Sequence, residues 1–190
     1  MVAQPIATMT EDEYLAFERA SETRHEFLDG RVYAMAGASM SHGDIIQNTS
    51  SHLFIKLRGG QCRAITNDLR VRVGATGLNT YPDIVVVCGE PRLTDDHLDT
   101  LLNPTILFEV LSPSTEAYDR TTKWEHYQLL ESLQEYVLIK QNTPRVEHYT
   151  RQNDGSWRYV ATTGLEAAVT LPSLGCTLTL AEIYENVTFM

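Results

Sequence analysis

The chain has 190 residues, 43% of them apolar and 21% charged, with a formal net charge of −10. That length suits one hydrophobic core, so residues 1–190 read as a single domain, and no stretch is long and apolar enough for a membrane span. Such acidity excludes a surface that is everywhere complementary to nucleic acid, while leaving room for a local basic groove.

In chain order, the N-terminus lacks the basic start and apolar block of a secretory signal, which makes the cytoplasm the expected compartment. Cys62, Cys88 and Cys176 are odd in number, widely spaced and without a CxxC pair, so the sequence suggests neither a disulfide framework nor a thiolate zinc site. Thr10 and Glu13 have the spacing of a capping box and predict a short helix ending near Ser21. Asp29-Gly30 between two strand-like runs, His25 to Leu28 and Arg31 to Met35, predicts a hairpin. Ser41 can cap a second helix, closed by Gly59-Gly60, in which Ile45, Ile46, Leu53, Phe54 and Leu57 recur near helical period, and this helix is expected to pack on the sheet.

Cys62 to Val73 alternates as one strand, and Ile84 to Val87 is a β-branched run of the kind buried on both faces. Ile106 to Leu111 predicts another central strand. Ser112-Pro113-Ser114-Thr115 breaks it, and Asp119 is placed to cap a helix running through Leu130. Tyr136 to Ile139 returns to strand, followed by short strands at Val146 to Tyr149, Trp157 to Ala161 and Ala168 to Leu171, with a terminal helical turn at Leu180 to Tyr184. This order describes an α/β (α+β) layer, a mixed sheet flanked by helices with a β-rich C-terminal extension.

Two carboxylates interrupt the apolar runs: Asp83 before Ile84 to Val87, and Glu109 inside Ile106 to Leu111. An ionised carboxylate taken out of water is costly unless it meets a cation, so the two together point to a site. Lys123, Tyr127 and Leu130, spaced i, i+4, i+7, share one helix stripe. Lys123 then either faces the strands or lies at the stripe's edge and reaches water along its stem. Carboxylate oxygens at the mouth of a sheet suit a hard cation such as Mg²⁺, with a lysine beside the attacking water. The cluster Arg58, Arg63, Arg70 and Arg72 could meet a phosphate or simply be solvated, and Asp68 could pair with these arginines or join the acids.

These residues, Pro82-Asp83, then Glu109-Val110-Leu111-Ser112-Pro113-Ser114-Thr115, then Tyr118-Asp119 with Lys123 and Tyr127, resemble the signature of the Uma-type restriction endonuclease family of the PD-(D/E)XK nuclease superfamily. The resemblance runs from the Glu26 to Gly30 segment and His42 to the β-rich tail. It implies a restriction-endonuclease-like core, Mg²⁺ or Mn²⁺ held by Asp83 and Glu109, and hydrolysis of phosphodiester bonds in DNA. One departure stands out: the superfamily lysine two residues after the second acid is Leu111 here, so Lys123 is the implied substitute. The resemblance also offers Glu26 as a third carboxylate, against a solvent-facing strand residue. His42 is a candidate to contact a phosphate or a water, against a helix-terminal hydrogen-bond partner. A homodimer is expected through the tail after Lys140. The alternative is an inactive nuclease-fold module that binds nucleic acid or a protein, or a cluster in which Lys123 merely pairs with Glu109.

Overall fold

The computed structural model describes residues 4–35, 37–66 and 69–189. Its strands are β1 (Ala7–Thr8), β2 (His25–Leu28), β3 (Arg31–Ala34), β4 (Cys62–Thr66), β5 (Arg70–Val73), β6 (Leu78–Thr80), β7 (Ile84–Cys88), β8 (Thr100–Leu101), β9 (Ile106–Leu111), β10 (Glu135–Lys140), β11 (Arg145–Arg151), β12 (Trp157–Thr163), β13 (Ala168–Leu171) and β14 (Cys176–Thr179). The helices are α1 (Glu11–Ala20), α2 (Met40–Lys56), α3 (116–127) and α4 (Leu180–Ile183).

The central sheet has the order β12-β11-β10-β9-β7-β4 and is mixed: β9 and β10 run parallel, the other pairs antiparallel. Alternation along its strands sends side chains to two cores. Ile84, Val86, Ile106, Phe108 and Val110 pack with Ile45 and Leu53 of α2. Val85, Val87, Leu107 and Leu111 face the other way, onto Tyr127 and Leu130 and onto Val71, Val73 and Leu78 of the second sheet. That second sheet, β1-β3-β2-β6-β5-β8, carries α1, whose Tyr14 stacks on Phe27. Burial on both faces explains why β7 and β9 read as nearly unbroken apolar runs.

Local signals hold where the chemistry is local. Thr10 and Glu13 form the capping box of α1, and Asp29 and Gly30 both take positive φ (50° and 75°), the turn conformation that matches strand twist in a two-residue hairpin. Three expectations change. Ser39, not Ser41, caps α2, its hydroxyl accepting the His42 N–H. The run read as one strand from Cys62 to Val73 is two, β4 in the central sheet and β5 in the other, because alternation reports a strand but not its partner. The helix expected from Asp119 starts at Glu116 and ends at Tyr127, with a π-helical turn over Asp119–Lys123 that draws Asp119 inside.

The reading of three unpaired cysteines is also corrected. Cys62 and Cys88 form a disulfide, with Cα atoms 4.0 Å apart. Antiparallel pairing of β4 with β7 puts the two residues directly opposite each other, a juxtaposition that 26 residues of separation do not announce. Cys176 remains a free thiol. No helix among the described residues is long and apolar enough to cross a membrane.

Candidate active site

Strand pairing brings the two acids together. In the antiparallel β7–β9 pair Ile84 lies opposite Phe108, so one step beyond the strand Asp83 comes beside Glu109, on the same face. Residues directly opposite in such a pair have Cβ atoms about 4.5–5.5 Å apart. A hydrogen bond fixes this approach: the Val110 N–H donates to Asp83 Oδ2 at 2.6 Å. The other oxygen, Oδ1, lies 3.0 Å from Nε2 of His42, which reaches it from the N-terminus of α2. His42 therefore does two things, its backbone N–H completing the Ser39 cap while its ring meets the carboxylate.

The helix α3 supplies the cation. Lys123 points inward and is 5% exposed, so the arrangement in which it reaches water is not the one adopted. Its ammonium lies 3.1 Å from Oε1 of Glu109, 3.1 Å from Oε1 of Glu26 and 3.2 Å from Oδ1 of Asp119. Glu26 thus turns in from the hairpin toward the cluster rather than toward solvent, where Thr80 donates a hydrogen bond to it. Tyr127 donates to Glu109 Oε1 at 2.9 Å. The π turn carries both Asp119 and Lys123 inward, a local departure of the kind that concentrates at functional sites.

Charge in this cluster is unbalanced. Burial raises the Glu109 carboxyl well above the ordinary range; the Lys123 ammonium counteracts that, while Asp119, Asp83 and Glu26 add to it. Asp119 is raised as well, again chiefly by burial against the pull of Lys123. The surrounding carboxylates outweigh burial at Lys123 and hold its ammonium charged. Both contacts to Glu109 fall on Oε1, and Oε2 takes part in neither. Asp83, with a side chain 19% exposed, is the open end of the arrangement, whereas Glu109 is 4% exposed.

The five sequence candidates fall in two adjoining groups, His42 on Asp83 and Lys123 on Glu109 and Glu26, which meet where the N–H of Val110, next to Glu109, donates to Asp83. Leu111 is buried in the apolar core and has no role in it. Arg70 and Arg72 do not present themselves to a phosphate: Arg70 is buried on Asp99, Tyr81 and Thr100, and Arg72 is clamped on Glu11. Asp68 lies outside the described residues. Asp119, expected as a helix cap, and Tyr127, expected only on the stripe of Lys123, both touch the site. Their signal was present in the spacing, since Asp119, Lys123 and Tyr127 recur every four residues.

Comparison with known proteins now bears on this geometry. A model of the Uma2 family, described as "Putative restriction endonuclease", matches residues 11–181. Two proteins of Synechocystis sp., "Uncharacterized protein slr1290" and "Uncharacterized protein sll1609", are similar over nearly their whole lengths. The first is 35% identical over 190 residues, covering 97% of this chain and 96% of its own. The second is 32% identical over 169 residues, covering 89% and 96%. Among solved structures, a protein described as "a putative nuclease belonging to DUF820" from Anabaena variabilis superposes with a TM-score of 0.76 over 93% of this chain and 97% of its own, at 21% identity. At that identity the likeness establishes the shared nuclease-type fold.

Proposed function

The chain belongs to the Uma2 restriction endonuclease family, and from that premise we propose that it is a metal-dependent endonuclease hydrolysing phosphodiester bonds in DNA. The observation that carries the reading is the adjacency of Asp83 and Glu109 with the Lys123 ammonium on the latter, inside a cluster where acids outnumber cations. Among the described residues no three His, Cys, Asp or Glu side chains converge into a complete metal cage. Two carboxylates completed by water are what Mg²⁺ accepts, and Mn²⁺ suits the same oxygen donors. The acid excess and the uncommitted Oε2 of Glu109 fit such a cation.

Asp83 and Glu109 would hold the ion, which supplies a more acidic bound water and neutralises charge developing on the phosphate. His42 orients Asp83 through Oδ1. Lys123, 3.1 Å from Glu109 Oε1, would take the part of the superfamily lysine and present an N–H donor to a water or a developing oxyanion. Glu26 and Asp119 keep that ammonium charged and aimed. The test is plasmid cleavage with Mg²⁺ or Mn²⁺ by the natural protein, Asp83→Ala and Glu109→Ala. Cleavage by the natural protein alone is expected; equal cleavage by all three would remove these carboxylates from the mechanism.

A second reading, an inactive module on the same scaffold, is favoured by Leu111 and by the three carboxylates already occupying Lys123. Calorimetry separates the two. A working site binds Mg²⁺ in a manner abolished by Glu109→Ala, and a relic does not. The homodimer belongs to this proposal as well: β12 is the outer strand of the central sheet, its far edge unpaired among the described residues, and light scattering gives the mass.

A further inference from the structure

On the face of the central sheet opposite Glu109 lies a groove that the nuclease reading does not use. It runs between β11–β12 and the hairpin β13–β14, as two adjoining hollows of about 550 and 320 Å³ that share Thr150, Arg158 and Pro172. Register accounts for its lining. Val137 lies opposite His148, and Val137 packs with α2, so His148 and its alternate neighbours Thr150, Arg158 and Thr162 project away from Glu109. Along the strand, Glu135 is level with Ile106, three residues from Glu109, which is about 10 Å.

The floor of the groove is built around a buried acid. Glu135 is 0% exposed, accepts the Ser173 N–H at 2.7 Å through Oε1, and sits 2.6 Å from Nε2 of His148 through Oε2. A carboxylate placed there holds the imidazole in one orientation. The contacts of the ring to Glu135 and Thr150 are both at Nε2. Arg158, next to Thr150 in the ladder, is exposed and enters no ion pair among the described residues. Arg151 is engaged elsewhere, on the carbonyls of Leu133, Gln128 and Leu130 and over the Trp157 ring. Asp154, the acid at one end, is tied to Ser156.

We propose that this groove binds a phosphate group, with the Arg158 guanidinium as its cationic contact, the His148 ring beside it, and the hydroxyls of Thr150, Thr162 and Thr170 as further donors. A guanidinium, an imidazole and a row of hydroxyls on one wall match the several acceptor oxygens and the charge of a phosphate. The shared chemistry fits a free nucleotide or the backbone of a nucleic acid.

The test titrates the full chain, without divalent metal, with inorganic phosphate, followed by heat and by the ring resonances of His148. Saturable binding that shifts those resonances is expected, weakened about tenfold by Arg158→Ala, the size of a lost charge-assisted hydrogen bond, and unchanged by Asp83→Asn. Arg158 is exposed, so its replacement should not disturb folding. Absence of saturable binding overturns the proposal, as does binding indifferent to Arg158→Ala or lost in Asp83→Asn. Failure of plasmid cleavage leaves the proposal standing, because the two sites occupy opposite faces. Parallel titrations with adenosine monophosphate and a short oligodeoxynucleotide identify the source. Tighter binding of the oligomer assigns the groove to a nucleic-acid backbone, and equal binding assigns it to free phosphates.

Discussion

Two charged networks lie on either side of the second sheet, and they are built on opposite rules. Against α1, Arg70 meets Asp99, Tyr81 and Thr100; Arg19 meets Asp95 and Asp99; Arg72 clamps Glu11; and Glu18 pairs with His25. Donors and acceptors are matched there, and Asp99 is held low chiefly by Arg19 and Glu11 chiefly by Arg72. On the side of α3, one ammonium faces Glu26, Glu109 and Asp119, and burial pushes two of these acids up. A matched network fastens elements together. An acid-rich one costs stability that a bound cation would recover, and the proposed function rests on that difference.

The largest effect that could break this contrast is expected from Lys123→Met. Removing the cation from three buried acids should cost about 3–5 kcal/mol at neutral pH in urea unfolding and should abolish cleavage. An unchanged midpoint would mean that the acids were already neutral. Glu109→Gln should separate function from stability: a loss of cleavage on the order of 10²–10³-fold, with folding unchanged or strengthened by about 1 kcal/mol, since it relieves crowded negative charge. If that variant unfolds more easily, Glu109 belongs to the scaffold. Arg70→Met should behave the other way, losing roughly 1–3 kcal/mol of stability while metal affinity measured by calorimetry stays the same.

Smaller still is the difference in pH dependence. The raised Glu109 and Asp119 carboxyls contribute stability that is complete below the ordinary carboxylate range and is lost as pH rises through their folded values. The lowered Asp99 and Glu11 contribute stability present above the ordinary range and lost as pH falls toward their folded values. Denaturation midpoints followed across pH should therefore lose their decline on the higher-pH side in Glu109→Gln and soften on the acid side in Asp99→Asn. The slightest change is expected from Arg19→Ala, about 1 kcal/mol or less, because both of its ion pairs are partly solvated.

Much of this arrangement was legible in the chain. Asp83 and Glu109 stood out because a charge inside a β-branched run has few explanations, and Asp29-Gly30 announced its hairpin because a local turn needs positive φ. Asp119 was harder. Thr115 and Glu116 begin the helix earlier than the nearest cap residue suggested, and a π turn leaves no pattern in hydrophobic period. Glu26 was undecidable because alternation marks two faces without saying which is buried. The cysteine bridge depended on a pairing between β4 and β7 that no neighbour in sequence reports.

By itself the sequence determined the elements whose signals are local: the capped α1, the Asp29-Gly30 hairpin, the apolar strands β7 and β9, and the acids embedded in them. Only the tertiary structure decided how many carboxylates share Lys123, that His42 orients Asp83, that Arg70 is a strut, and that a second polar groove lies behind the sheet. The physical reason is that propensity and periodicity act over a few residues. Charge balance and burial are set by strand register and layer packing among segments far apart in the chain, such as Glu26 and Lys123.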